Sequence, residues 1–239
     1  MIMSKFYGEK SLSQSRETWL ISENAVDRSN LPQLTLPAFI SFGLLNDPKQ
    51  IGFRIARHKF VMKMLTGFES VLEVGCQEGF TSLFVAQEVG QLVAIDFYKP
   101  HIEDAEQFLK PHLPNVEFRG HDIIDGPIVD REFDGAFSLD VLEHIDQSQE
   151  HLFMANIAAS LKQDGVFIVG MPSLESQQYA SEAAKAGHIN CKTGQNLQTL
   201  CKLHFNNVFM FGMNDEVLHT GFFPMCQYLF PMCIGKKMD

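Results

Sequence analysis

Short apolar runs alternating with amphipathic stretches between residues 70 and 172 predict an α/β protein with a doubly wound, Rossmann-like sheet and helices on both faces. A buried-strand pattern breaks into a glycine turn at VLEVGCQEG. The strand–helix alternation then continues to GVFIVGMP. Finally, two strand-like runs close the chain with no convincing helix between them, and such neighbours most easily pair antiparallel.

Taken in order, residues 1–46 read as an N-terminal arm or cap. It is polar at first, then LPQLTLPAFISFGLL, where Pro32 and Pro37 prevent a long helix. A sheet domain is expected over residues 47–239. It starts with a helix from Pro48 to about Leu65, the proline sitting in the first turn and Val61, Met64 and Leu65 recurring at helical spacing. SVLEVG reads as the first strand, and FTSLFVAQEV, with Phe80, Leu83 and Phe84, as its helix. LVAID is the second strand and HIEDAEQFLK the second helix; NVEFRG and EFDGAFSLD are the third and fourth strands. HLFMANIAASL sets Met154, Ile157, Ala158 and Leu161 on one helical face before the fifth strand, GVFIVGMP. NNVFMFGM and QYLFPMCIGKK form the terminal pair, joined by the polar, turn-rich NDEVLHTGFFP.

Composition narrows the function. The formal net charge of −10 disfavours a nucleic-acid substrate, because such proteins gain affinity by neutralising phosphates with Lys and Arg. Five scattered cysteines without a C-x-x-C pair argue against both a disulfide framework and a zinc site. The N-terminus lacks an apolar signal core, and Leu34 to Leu45 is too short to span a bilayer, so a cytoplasmic protein is expected.

The glycine turn carries the strongest chemical signal. Gly75 and Gly79 let backbone approach a ligand where a helix begins, and helix N-termini offer unpaired N–H groups. A dinucleotide turn reads G-x-G-x-x-G; here the string is G-C-Q-E-G, with Gln77 in place of the middle glycine. Glu73, just before the turn, suits a cationic ligand better than a phosphate.

VLEVGCQEG resembles the first motif of class I S-adenosylmethionine-dependent methyltransferases, in the group related to quinone-biosynthesis enzymes. The resemblance covers roughly Ser70 to Gly170 and departs from the motif at Gln77. It implies a seven-stranded sheet whose last strand is antiparallel, and S-adenosyl-L-methionine as cofactor. The turn residues Glu73, Gly75, Cys76, Gln77 and Gly79 would hold its amino-acid end, and Asp96 at the tip of the second strand its ribose hydroxyls. Phe97 would cover the adenine, while Asp122 and the backbone of Ile123 would read it. SLDVLEHI is the second matching string, and it places Leu139 and Asp140 beside the methyl-donor end. Arg57 and His58 could meet the cofactor carboxylate or form a solvated helix face.

Transfer to oxygen needs a base near neutral pKa, and histidine is the usual choice. His188 leads, with His144 and His219 as the other candidates. Spacing along the chain suggests no metal ligands, so metal-independent chemistry is expected. The exocyclic-amine motif of base methyltransferases is absent after the fourth strand, which favours a small-molecule acceptor such as a sugar, phenol or secondary metabolite, with O-methylation favoured. A non-catalytic S-adenosylmethionine-binding or interaction protein is the alternative from another class. A nicotinamide-dependent oxidoreductase shares the architecture but not the glycine spacing. Sequence sets neither the acceptor nor the oligomeric state.

Overall fold

The computed structural model describes residues 12–24, 29, 31 and 33–237. The polar start of the arm (residues 1–11) and Pro32 lie outside them. The chain falls into two compact units, Met1–Thr35 and Leu36–Asp239. In the first, α1 spans Leu12–Asn24, with Trp19 and Ile21 exposed. The second begins at Leu36. Pro37 is the N-cap of a short helix, α2, which runs Ala38–Asn46 within the sheet unit.

Helix α3 (Pro48–Met64) carries Pro48 in its first turn, as its sequence predicts. After it the strands and helices alternate: β1 (Ser70–Val74), α4 (Ser82–Ala86), β2 (Gln91–Asp96), α5 (Lys99–Asp104), β3 (Val116–Gly120), β4 (Phe133–Leu139), α6 (Glu150–Ser160) and β5 (Leu161–Pro172). Then come α7 (Glu182–Gly187), α8 (Gly194–His204), β6 (Phe205–Asn214), β7 (Val217–His219) and β8 (Tyr228–Lys236).

These strands form one sheet in the order β3-β2-β1-β4-β5-β8-β6-β7. The first five are mutually parallel, and β8 lies antiparallel between β5 and β6. The seven expected strands and the antiparallel insertion are therefore present. An eighth, the short β7, adds at the edge because Val217–His219, read as loop from its polarity, pairs with Gly212–Asn214.

Alternation along the strands sorts side chains onto two faces. Leu72 and Val74 of β1 join a core with Phe153, Met154 and Ile157 of α6 and Leu197 and Leu200 of α8. Val71 turns to the opposite core, with Phe60 and Val61 of α3 and Val85 of α4. Glu73 shares the parity of Val71, and this decides its surroundings. The chain winds from β1 outward to β3, then returns to β4 on the other side of β1. The crevice beyond the carboxyl ends of β1 and β4 is thus the switch point, where ligands bind in such sheets.

Candidate active site

Two loops meet at that switch point. After β1, Gly75 adopts φ 86° and Gly79 φ 74°. A Cβ on Gly75 would collide with Val141 in the loop after β4, and one on Gly79 would stand 2.5 Å from Phe118. Both positions demand glycine for conformation and for space. Gln77 occupies the left-handed region too, at φ 50°. The departure from the motif thus keeps the backbone shape that a glycine there would adopt, at a cost of about 1–2 kcal/mol. Two contacts hold it: its N–H donates to Asp96 Oδ2 at 2.9 Å, and its Oε1 accepts from Arg54 at 3.2 Å.

Asp96 is 6% exposed, and its other oxygen accepts from the Tyr98 N–H. It therefore ties the tip of β2 to the glycine turn. Glu73 is enclosed on the α3 face, accepting from the Ser82 hydroxyl at 2.6 Å with His58 Nε2 at 3.7 Å. In this arrangement it braces the turn against α3 and α4. Glu78, which the sequence reading passed over, accepts from the Phe39 and Ile40 N–H groups and so anchors the first turn of α2 to the loop. Burial pushes the Cys76 thiol well up, with Glu73 and Asp96 adding to it, so it stands protonated.

Phe97 is exposed, and Asp122 caps its own turn by accepting from the Ile124 N–H. Ile123 is buried, its carbonyl taken by Asn156 at 2.7 Å. Leu139 is buried at the end of β4. Asp140 follows it at φ 59°, with both oxygens 2.8 Å from Arg57 Nη1. Arg57 is thus no solvated helix residue: its guanidinium also lies 3.9 Å from the ring centroid of buried Tyr228, and its Nε–H has no partner. Burial works against the charge on Asp140, but Arg57 and Arg54 outweigh it and hold the carboxyl below the usual range.

On the far side of the same loop, Glu143, His144 and His188 bring one ligand atom each within 4.8 Å of one another. Glu143 is fully buried with neither carboxylate oxygen hydrogen-bonded, and burial, with the charge of Asp140, raises its pKa well above the carboxylate range. His144 Nδ1 faces the Gly187 carbonyl at 2.8 Å. A carbonyl only accepts, so Nδ1 carries a proton and the contact leaves Nε2 unengaged. His188 Nδ1 contacts Gln177 Oε1 at 2.9 Å, which frees its Nε2 in the same way. The two rings lie edge to face at 5.1 Å, and burial together with His144 lowers the His188 pKa.

Chain spacing suggested no metal ligands; the fold brings residue 188 back onto 143 and 144. A buried, unpartnered carboxylate beside two imidazoles is a donor set that fits a divalent cation. His219 stands elsewhere, on edge strand β7 with Cys226 Sγ at 4.0 Å, and does not join the group.

The fold, the glycine turn and the acid at the tip of β2 are together similar to those of class I S-adenosylmethionine-dependent methyltransferases. Residues 71–165 match the family described as a methyltransferase domain. A probable S-adenosylmethionine-dependent methyltransferase of Mycolicibacterium smegmatis is 26% identical over 121 residues, 49% of this chain and 44% of that protein. A ubiquinone biosynthesis O-methyltransferase of Rickettsia bellii is 24% identical over 140 residues, 58% of this chain and 57% of the relative. The chain thus spans about half the length of the curated relatives it matches. The N-methyltransferase NodS of Bradyrhizobium japonicum, solved with S-adenosyl-l-homocysteine, superposes with a TM-score of 0.59 at 16% identity, covering 91% of this chain and 97% of its own. Among the described residues, no helix is long and apolar enough to cross a membrane.

Proposed function

We propose that this protein transfers a methyl group from S-adenosyl-L-methionine to an oxygen of a small-molecule acceptor. The observation that carries the reading is the meeting, at one switch point, of the glycine turn with the Glu143–His144–His188 group. In this reading the backbone of Gly75, Cys76 and Gln77 receives the amino-acid end. Arg57, with its unpartnered Nε–H, receives the carboxylate. Asp96 uses its remaining lone pairs on the ribose hydroxyls. Asp122 and Ile123 read the adenine under Phe97, and Leu139 and Asp140 border the sulfonium.

The sulfonium is already activated, so the protein's task is to hold acceptor and methyl in line, an effect worth roughly 7–11 kcal/mol in favourable cases. The O–CH3 bond forms as the S–CH3 bond breaks, leaving neutral S-adenosylhomocysteine. The acceptor hydroxyl must lose its proton: His188 or His144 would take it where no cation is held, and where the two imidazoles hold a cation the acidified hydroxyl would release it to water. A divalent cation held by Glu143, His144 and His188 would lower the pKa of a hydroxyl bound to it. The net charge of −10 and the relatives' names favour a small acceptor over a nucleic acid.

The test is turnover of labelled S-adenosylmethionine against phenols, catechols and sugars, with chelator and with added Mg2+, Mn2+ or Zn2+. Transfer to a hydroxyl that chelator suppresses and metal restores is the expected result. Transfer confined to amines would overturn the oxygen assignment, and transfer indifferent to chelator would overturn the cation.

A further inference from the structure

Beside the Glu143–His144–His188 group, three polar side chains are buried that the proposed transfer does not use. Glu150, in the first turn of α6, is 8% exposed, Asn190 5% and Lys192 8%. Lys192 Nζ lies 2.6 Å from Glu150 Oε2 and donates to Asn190 Oδ1 at 3.0 Å. Asn190 Nδ2 donates to the same Glu150 oxygen at 3.1 Å. The three satisfy one another in a closed ring.

Stability does not explain such a ring. Desolvating two charges costs about what their attraction returns, and well-packed apolar residues often serve as well or better. What the ring does fix is position. The Asn190 N–H donates to the Glu143 backbone carbonyl at 3.0 Å, two residues after His188 and at the residue that supplies the orphaned carboxylate. On its other side, Lys192 forms a parallel bridge with Ser173 at the end of β5, and its carbonyl accepts from the Leu174 N–H at 2.9 Å. The segment 188–192 is therefore pinned at both ends, and Glu150 joins those pins to α6.

We propose that Glu150, Asn190 and Lys192 are positioning residues that set the distance between His188 and the Glu143–His144 pair, and thereby the fit of the group for a divalent cation. The proposal rests on the cation reading above, but its effect on the loop can be read without metal. Partners that orient ligands from behind them typically change metal affinity by about 10–100-fold when removed.

The experiment uses the full chain with Co2+ as probe, its absorption spectrum reporting coordination, and amide hydrogen exchange reporting the Asn190 N–H. The double variant Glu150→Leu/Lys192→Met removes both charges together, so no buried charge is left alone. Its melting temperature and S-adenosylhomocysteine affinity should stay near wild type. Its Co2+ affinity should fall about tenfold or more with an altered spectrum, and the Asn190 amide should exchange faster. Lys192→Arg, which keeps the pair, should restore both readouts. Should the double variant not fold, Asn190→Ala carries the same test, keeping the ion pair while cutting its link to the loop. Wild-type Co2+ affinity together with unchanged Asn190 protection in a folded variant would overturn the proposal. Absence of Co2+ uptake by the wild type would sink the cation reading instead, and Asn190 exchange would then decide the clamp by itself.

Discussion

The two sides of the switch point are built differently. On the cofactor side, the turn Gly75–Gly79 is one contiguous stretch, and its contacts run to the tip of the neighbouring strand. On the proposed acceptor side, Glu143 and His144 meet His188 only because the chain through α7 returns to them. The first is fixed by local backbone conformation, the second by long-range closure. Substitutions should therefore separate them, with loss of chemistry on one side and loss of cofactor or fold on the other.

The largest effect is expected from Glu143→Gln. Methyl transfer should fall by about 10²-fold or more, in the range of a lost acid–base or cation-holding group, while S-adenosylhomocysteine affinity stays within about twofold by calorimetry. An equal loss of cofactor affinity would merge the two sides and break the comparison. His219→Ala, on the sheet edge, serves as the matched control and should leave turnover near wild type.

Next in size is Gly79→Ala. The left-handed backbone and the Phe118 ring both oppose a methyl group there, so unfolding in urea should show a loss of about 2–4 kcal/mol. A smaller penalty would mean the turn relaxes easily. Asp96→Ala should weaken S-adenosylhomocysteine binding about tenfold or more, because a hydrogen bond to a charged group is worth about 1.5–3 kcal/mol. Unchanged affinity would move the ribose elsewhere.

The smallest effect belongs to Gln77→Gly. Relief of left-handed strain, about 1–2 kcal/mol, is offset by glycine's entropy, about 0.5–1 kcal/mol, and by loss of the Arg54 contact. Stability should shift by less than about 1 kcal/mol. A loss well beyond that would show that the side chain itself holds the loop.

The same contrast explains what was legible beforehand. β1 and β2 are mainly apolar runs, as strands buried on both faces are, while edge strand β3 alternates, and the helix-free ending pointed directly to antiparallel pairing of β6 and β8. The glycine turn was visible because its conformation is written in adjacent residues. Glu73 was read from its place before the turn, and its contacts with His58 and Ser82 follow from strand parity, which adjacent residues do not show. Glu143 went unnoticed because a carboxyl's burial and lack of partners are properties of the folded environment. Helix α8 was missed although Thr193 caps it and Leu197, Leu200 and Cys201 recur at helical spacing. Tyr228, beneath Arg57, carried no signal at all, since an aromatic opening an apolar strand reads as core.

The central claim is that the loop from Gly75 to Gly79, with Asp96, holds an S-adenosyl nucleoside. Titrating the purified protein with S-adenosylhomocysteine in a calorimeter, with NAD as the comparison, tests it most directly. Saturable one-site binding of S-adenosylhomocysteine and none of NAD is the predicted result. No heat with S-adenosylhomocysteine, or tighter binding of NAD, would contradict it.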